Sequence, residues 1–226
     1  MDTTTAAAPA RESGSPTPPP RFTEDWFGHH LPGWERLFFG HLGWPRGGAD
    51  RARTVVEIGS FEGRASLWML DTLLRHPESR LHCLDTFEGG GEHWAEQVDG
   101  LWDRFRANLA SAGPEAGAKV EVHRGPSAEG LLALLARGGA GADFVYIDGS
   151  HEAPDVLADL VLAWRLLAPG GVAICDDYLW TREPSDRADL LHCPKIAVDA
   201  FTTIHRRLLD PLTDVPPWQV GFRKRP

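Results

Sequence analysis

Long apolar runs are missing from this 226-residue chain. None approaches the roughly 18 residues that a membrane span requires, so no integral membrane protein is expected. The first twenty residues, MDTTTAAAPARESGSPTPPP, lack the apolar stretch of a secretory signal. Basic charge is also short. Lys and Arg number 23 against 32 Asp and Glu, a net charge of −9. This balance argues against a nucleic-acid groove and against docking on an anionic membrane. Cysteine is scarce. Cys83, Cys175 and Cys193 are odd in number and have no close metal-ligand spacing. They read as reduced thiols of a cytoplasmic protein. Finally, no strand is followed by G-x-G-x-x-G, which disfavours a nicotinamide enzyme.

What remains is enough for one sizeable core: 42% of residues are hydrophobic. Residues 1–21 are mostly Pro, Thr, Ser and Ala, with almost nothing to bury, and a disordered tail is expected there. A single domain is expected over 22–226, with no internal repeat. Five short β-rich segments, 54–59, 81–85, 119–123, 143–147 and 171–175, are bounded by Gly, Pro or charge and read as buried strands. Helical patterns lie between them. The clearest runs from Pro154 to Leu167, with Val156, Leu160, Trp164 and Leu167 on one stripe and PGG at 169–171 as its stop. Another opens at Pro194 and carries Ala197, Phe201, Ile204 and Leu208, and 218–224 reads as a closing strand. Strands alternating with helices imply right-handed parallel βαβ units. The expected fold is therefore α/β, a Rossmann-like doubly wound sheet, mostly parallel, with helices on both faces and an antiparallel closing strand. In such sheets ligands sit beyond the carboxyl ends of the strands.

Polar residues gather at those ends. VVEIGSFEGRAS (55–66) is a strand, a turn and a helix start, with Gly59 and Gly63 spaced G-x-x-x-G. The glycines admit close approach of a ligand to the backbone. Glu57 suits a ligand with a cationic amine, although a plain structural turn reads equally well. Asp85 ends the second strand, where an acid can accept from ribose hydroxyls. Ser127 is a good N-cap for the next helix and is also placed to face an adenine edge. Asp148 ends the fourth strand, and Asp176 and Asp177 end the fifth.

The loop EIGSFEG, Asp85, GPSAE, YIDGSH and LAPGGVAICDDY together resemble class I S-adenosylmethionine-dependent methyltransferases. More narrowly, they resemble the metal-dependent small-molecule O-methyltransferases of the catechol and macrocin types. The resemblance implies a cofactor site made of Glu57, Gly59, Ser60, Phe61, Gly63, Asp85, Ser127 and Asp148. It also implies metal ligation by Asp148, Asp176 and Asp177, and a basic residue at the place of His151. Two positions depart from the pattern: Ala65 stands where catechol-type relatives have serine, and Ala128 replaces a polar residue near the adenine.

The residues give the chemistry its own support. Three uncompensated carboxylates at neighbouring strand ends raise each other's pKa, and a hard divalent cation such as Mg²⁺ relieves them. The bland alternatives are a turn-initiating Asp176–Asp177 pair and an Asx-turn at Asp148. His151 is a candidate general base with Asp148 beside it in the catalytic set, or a histidine that only bonds its turn. The expected cofactors are S-adenosyl-L-methionine and Mg²⁺ or another divalent cation. The expected partner is a hydroxylated small molecule, with no nucleic acid and no membrane, and a homo-oligomer is compatible. Residues 22–38 are expected to cover the cleft, with His29 and His30 facing solvent. Segments 88–96 and 178–194 are further lids, and Tyr178, Trp180 and His93 are candidate acceptor contacts. Two other functions stay open: a metal-dependent hydroxylase-like relative on the same fold, and a non-catalytic cofactor-binding auxiliary protein.

Overall fold

Val55, Val56 and Ile58 are all buried, so the first strand, β1 (Thr54–Ile58), packs on both faces. Alternation sends Val56 and Ile58 to one helical layer and Val55 and Glu57 to the other. This double burial is the mark of a central parallel strand. The computed structural model describes residues 18–90, 93–139, 141–183 and 189–226. Most of the expected N-terminal tail, and parts of the segments 88–96 and 178–194, lie outside these residues.

The other strands are β2 (Arg80–Asp85), β3 (Val120–Arg124), β4 (Ala142–Ile147), β5 (Leu167–Cys175), β6 (Leu209–Leu212) and β7 (Val220–Lys224). They form one sheet in the order β3-β2-β1-β4-β5-β7-β6. Strands β1 to β5 pair in parallel, while β7 runs antiparallel to both β5 and β6. The fold expectation holds. Two details of it are corrected. Leu167 to Gly171 do not end a helix in a loop. They already belong to β5, which reaches back to pair Leu167 with Ala142 across an irregular register. A second antiparallel pairing, β6 with β7, also extends the edge. Pro211 interrupts the strand signal of β6, and an edge strand tolerates it because one side needs no ladder bond.

One face is covered by α6 (Ser127–Ala136), α7 (Ala153–Leu166) and α8 (Pro194–His205). Leu131, Val156, Leu160 and Phe201 pack there on Val56, Val145 and Ile147. The other face carries α2 (Arg64–Thr72), α4 (Leu101–Ser111) and a helical segment from Gly28 to His41 that includes α1 (Leu31–Glu35). Its core is aromatic: Trp34, Phe38, Phe105, Phe144 and Tyr146. Trp34 meets Tyr146 edge-on with centroids 4.8 Å apart. Burying each such side chain contributes about 1.5–3 kcal/mol. All three cysteines are free and buried. No helix among the described residues is long and apolar enough to cross a membrane.

Candidate active site

The carboxyl ends of β1, β2, β4 and β5 open onto one cavity of about 1140 Å³. Its floor includes Gly59, Phe61, Asp85, Ser127 and Asp148 from the expected cofactor set. Gly59 has φ +83°, and a Cβ there would stand 1.8 Å from the Asp148 carbonyl oxygen. Only glycine lets the ends of β1 and β4 close up in this way. Phe61 holds a left-handed φ of 46° without being glycine. A side chain in that region costs of order 1–3 kcal/mol, and such strain gathers at functional sites.

Asp85 supports this turn. Its Oδ2 accepts from the Ser60 and Phe61 amides at 2.8 Å each, and its Oδ1 accepts from the Phe87 amide at 2.6 Å. Glu57, Ser60 and Gly63 do not line the cavity. The expectation that Glu57 meets a cationic amine is corrected, because β-alternation points it into the aromatic layer with Val55. There it is fully buried and accepts from Ser60 at 2.8 Å, from Ser66 and from Cys83 at 3.3 Å. Burial pushes its carboxyl up to about 7 despite these donors. Ser127 is not an N-cap. Pro126 holds that place, and the Ser127 hydroxyl donates instead to Asp159 Oδ1 at 2.7 Å.

At the other end of the cavity the acids meet. Ligand atoms of Asp148, His151 and Asp177 all lie within 4.8 Å of one another. His151 Nε2 is 2.9 Å from Asp177 Oδ2, and the indole of Trp180 stacks on the imidazole at 4.3 Å. Asp177 has φ +51°, a conformation aspartate tolerates better than most residues. Asp148 is held well above the usual carboxylate range, first by burial and then by the charges of Asp176 and Asp177. Two carboxylates and an imidazole facing one another, one acid forced toward its protonated form, fit a divalent cation.

Asp176 stands outside that group of three. Its Oδ2 accepts from Tyr146, from Gln219 Nε2 at 2.8 Å and from His30 Nε2, 3.2 Å away. Burial raises this carboxyl, but His30 and Tyr146 outweigh it and hold the pKa below its ordinary value. The Tyr146 hydroxyl also lies 3.0 Å from Asp148 Oδ2, so one phenol links both acids. Burial beside those charges raises the phenol's own pKa far above the usual value.

His30 corrects the expectation that both histidines face solvent: it is buried against Asp176, while exposed His29 lines the cavity beside it. The N-terminal segment is fixed over the site by Thr23, which donates its amide at 2.7 Å and its hydroxyl at 2.8 Å to buried Glu62. Arg104 donates to the same carboxylate at 2.7 Å. His93 and Trp180 line the cavity with Trp26, Trp94 and Trp218. Tyr178 does not. Its hydroxyl donates to Asp199 at 2.7 Å on α8, away from the opening. Tyr146 and Gln219 were missed in the sequence because both sit in apolar strand contexts. A signal for Tyr146 existed, since positions 146 and 148 share one face of the strand.

This sheet order, with a ligand cavity across its carboxyl edge, defines a class I methyltransferase architecture. A family model described as a methyltransferase domain matches residues 56–178, and the chain belongs to that family. No curated protein matches it. Solved structures do. A putative O-methyltransferase from Klebsiella pneumoniae superposes with TM-score 0.61 at 18% identity, over 91% of this chain and 84% of that one. The O-methyltransferase TomG from Streptomyces achromogenes, solved with SAM, gives 0.55 at 21% identity over 87% and 78%. MycE from the mycinamycin pathway, solved with Mg, SAH and mycinamycin VI, gives 0.56 at 17% identity, over 89% of this chain and 51% of its own.

Proposed function

We propose that the protein is an S-adenosylmethionine-dependent O-methyltransferase that requires a divalent cation, Mg²⁺ first, and methylates a hydroxyl of a small molecule. The observation that carries this reading is the cluster of Asp148, His151 and Asp177 at one end of a cavity whose other end holds the Gly59–Phe61 turn and Asp85. Bound SAM in TomG, and Mg with SAH in MycE, support it by likeness of fold. The cavity exceeds what one cofactor fills, and its tryptophan-rich mouth suits an acceptor with an extended apolar or ring face. Three free, buried cysteines suit a cytoplasmic enzyme.

S-adenosylmethionine would supply an electrophilic methyl on a sulfonium, and a cation held by Asp148 and Asp177 would lower the acceptor hydroxyl's pKa. The chain's own residues do the rest. Asp148 and Asp177 would hold that cation and, through it, orient the acceptor oxygen. As that oxygen attacked the methyl carbon, sulfur would leave with the bonding pair, and the His151 imidazole would take the acceptor's proton. The Asp177 carboxylate, 2.9 Å away, stabilises the imidazolium that results. Trp180 and the N-terminal segment exclude water and orient the ring.

His151 also stands inside the ligand group, so a role as ligand competes with its role as base. In His151→Ala, undiminished Mg²⁺ affinity with slow methyl transfer supports the base. Loss of Mg²⁺ binding supports the ligand. The test of the function is methyl transfer from labelled S-adenosylmethionine to a panel of phenols and sugar alcohols. Transfer should stop in EDTA and return with Mg²⁺. Oxygen consumption without methyl transfer would favour a hydroxylase-like activity, and tight cofactor binding with no turnover an auxiliary protein.

A further inference from the structure

We infer that Asp176 anchors the N-terminal segment to the site through His30 and Gln219, and that it is not a ligand of the proposed cation. Only the second half rests on the proposed function. Asp176 follows β5 and is 8% exposed, so water does little to satisfy its charge. The chain satisfies it instead. Oδ2 takes donors from three directions: Tyr146 of β4, Gln219 just before β7 at 2.8 Å, and His30 Nε2 at 3.2 Å. Oδ1 accepts from the Asp177 amide at 2.8 Å. A carboxylate has about four acceptor positions, and these donors fill them.

Two of these bonds are oriented by what lies behind them. Trp34 Nε1, which can only donate, is 2.8 Å from Gln219 Oε1, so the Gln219 amide turns its NH₂ toward Asp176. His30 Nδ1 is buried without a partner among the described residues, so Nε2 is the nitrogen that donates. His30 and Trp34 both belong to the helical segment from Gly28 to His41. That segment therefore reaches Asp176 twice, once directly and once through Gln219. The ligand atoms of Asp148, His151 and Asp177 gather within 4.8 Å of one another, and Asp176 is not among them. To join a cation there, Asp176 would have to abandon His30 and Gln219 and leave buried donors unanswered. It would also release the Asp177 amide, which supports the left-handed φ of +51° at that residue.

Hydrogen–deuterium exchange of the full chain tests the anchor. The amides of His30 and Leu31, bonded to the carbonyls of Phe27 and Gly28, report on the first turn of the segment. His30→Leu keeps apolar bulk without a donor, and exchange at these amides should quicken on the order of tenfold or more, the effect of losing a bond to a buried charge. His30→Gln returns a donor near the Nε2 position and should restore slow exchange. Unchanged exchange in His30→Leu, or equal exchange in the two variants, overturns the anchor. A crystal of the full chain soaked in Mn²⁺ tests the ligand set by its anomalous signal. The ion should lie on oxygens of Asp148 and Asp177, with both Asp176 oxygens outside its coordination sphere. An ion bonded to Asp176 overturns the second half. If no ion binds, it is the cation reading of the site that fails, and the exchange result still decides the anchor.

Discussion

At the β2 side of the carboxyl edge, Asp85 is answered by three backbone amides. At the β4–β5 side, Asp148 and Asp177 face each other and one imidazole. Both regions put acids at strand ends, in the same sheet and at the same edge. They differ in where the compensating donors come from. Amides of the chain satisfy Asp85, so its charge is spent on shaping the Gly59–Phe61 turn. Among the described residues no backbone amide reaches the second group, where Asp148 accepts from the Tyr146 hydroxyl and Asp177 meets the His151 ring. Asp176 shows the contrast within one dipeptide: it is answered by His30, Tyr146 and Gln219, while its neighbour Asp177 turns outward. A strand-end acid is a scaffold where backbone amides surround it, as at Asp85, and the proposed ligands are the acids that lack them.

The largest expected effect lies in the second group. Asp148→Asn should lower methyl transfer on the order of a thousandfold, as loss of metal-assisted activation would, while calorimetry still detects S-adenosylhomocysteine binding. An equal effect from Asp85→Asn on turnover alone would erase the contrast. His151→Ala should cost roughly 10²–10⁴-fold in kcat, the usual worth of a general base, with little change in cofactor affinity. Asp85→Ala tests the scaffold side. Three amides lose their acceptor, so unfolding in urea should show a loss of about 1–3 kcal/mol together with weaker cofactor binding.

The smallest effect is a pH dependence. Glu57 rises from 4.5 to about 7 on folding, so the folded chain holds a proton that the unfolded chain releases. Stability from this group is full below about pH 4.5 and is lost as pH climbs through about 7. Asp159 adds the same sign, rising to about 7. In Glu57→Gln the fall in melting temperature between pH 5 and 7 should flatten. An unchanged slope would mean that Glu57 is not held protonated inside the aromatic layer.

Much of the frame was readable before the structure. Short apolar segments between Gly and Pro fixed β1 to β5 to within a few residues, apart from the early start of β5. The acids at their ends pointed to the edge where the cavity lies. Strand alternation was also present in the sequence and, applied to Val55 and Glu57, would have turned Glu57 inward. What could not be read were partners brought together across long separations. Trp34 bonds Gln219 across 185 residues, and His30 reaches Asp176 from the opposite end of the chain. A histidine pair in a short helical segment carries no local sign of which ring is buried. Asp159 was hidden for a related reason: a single acid on an amphipathic helix reads as part of its solvent face.

In the proposed function, Asp148 and Asp177 hold a cation beside the cofactor. Calorimetric titration of Mg²⁺ into the chain saturated with S-adenosylhomocysteine tests it most directly. A single saturable site that disappears in Asp148→Asn/Asp177→Asn is the predicted result. The same isotherm in the wild type and the double variant would contradict it.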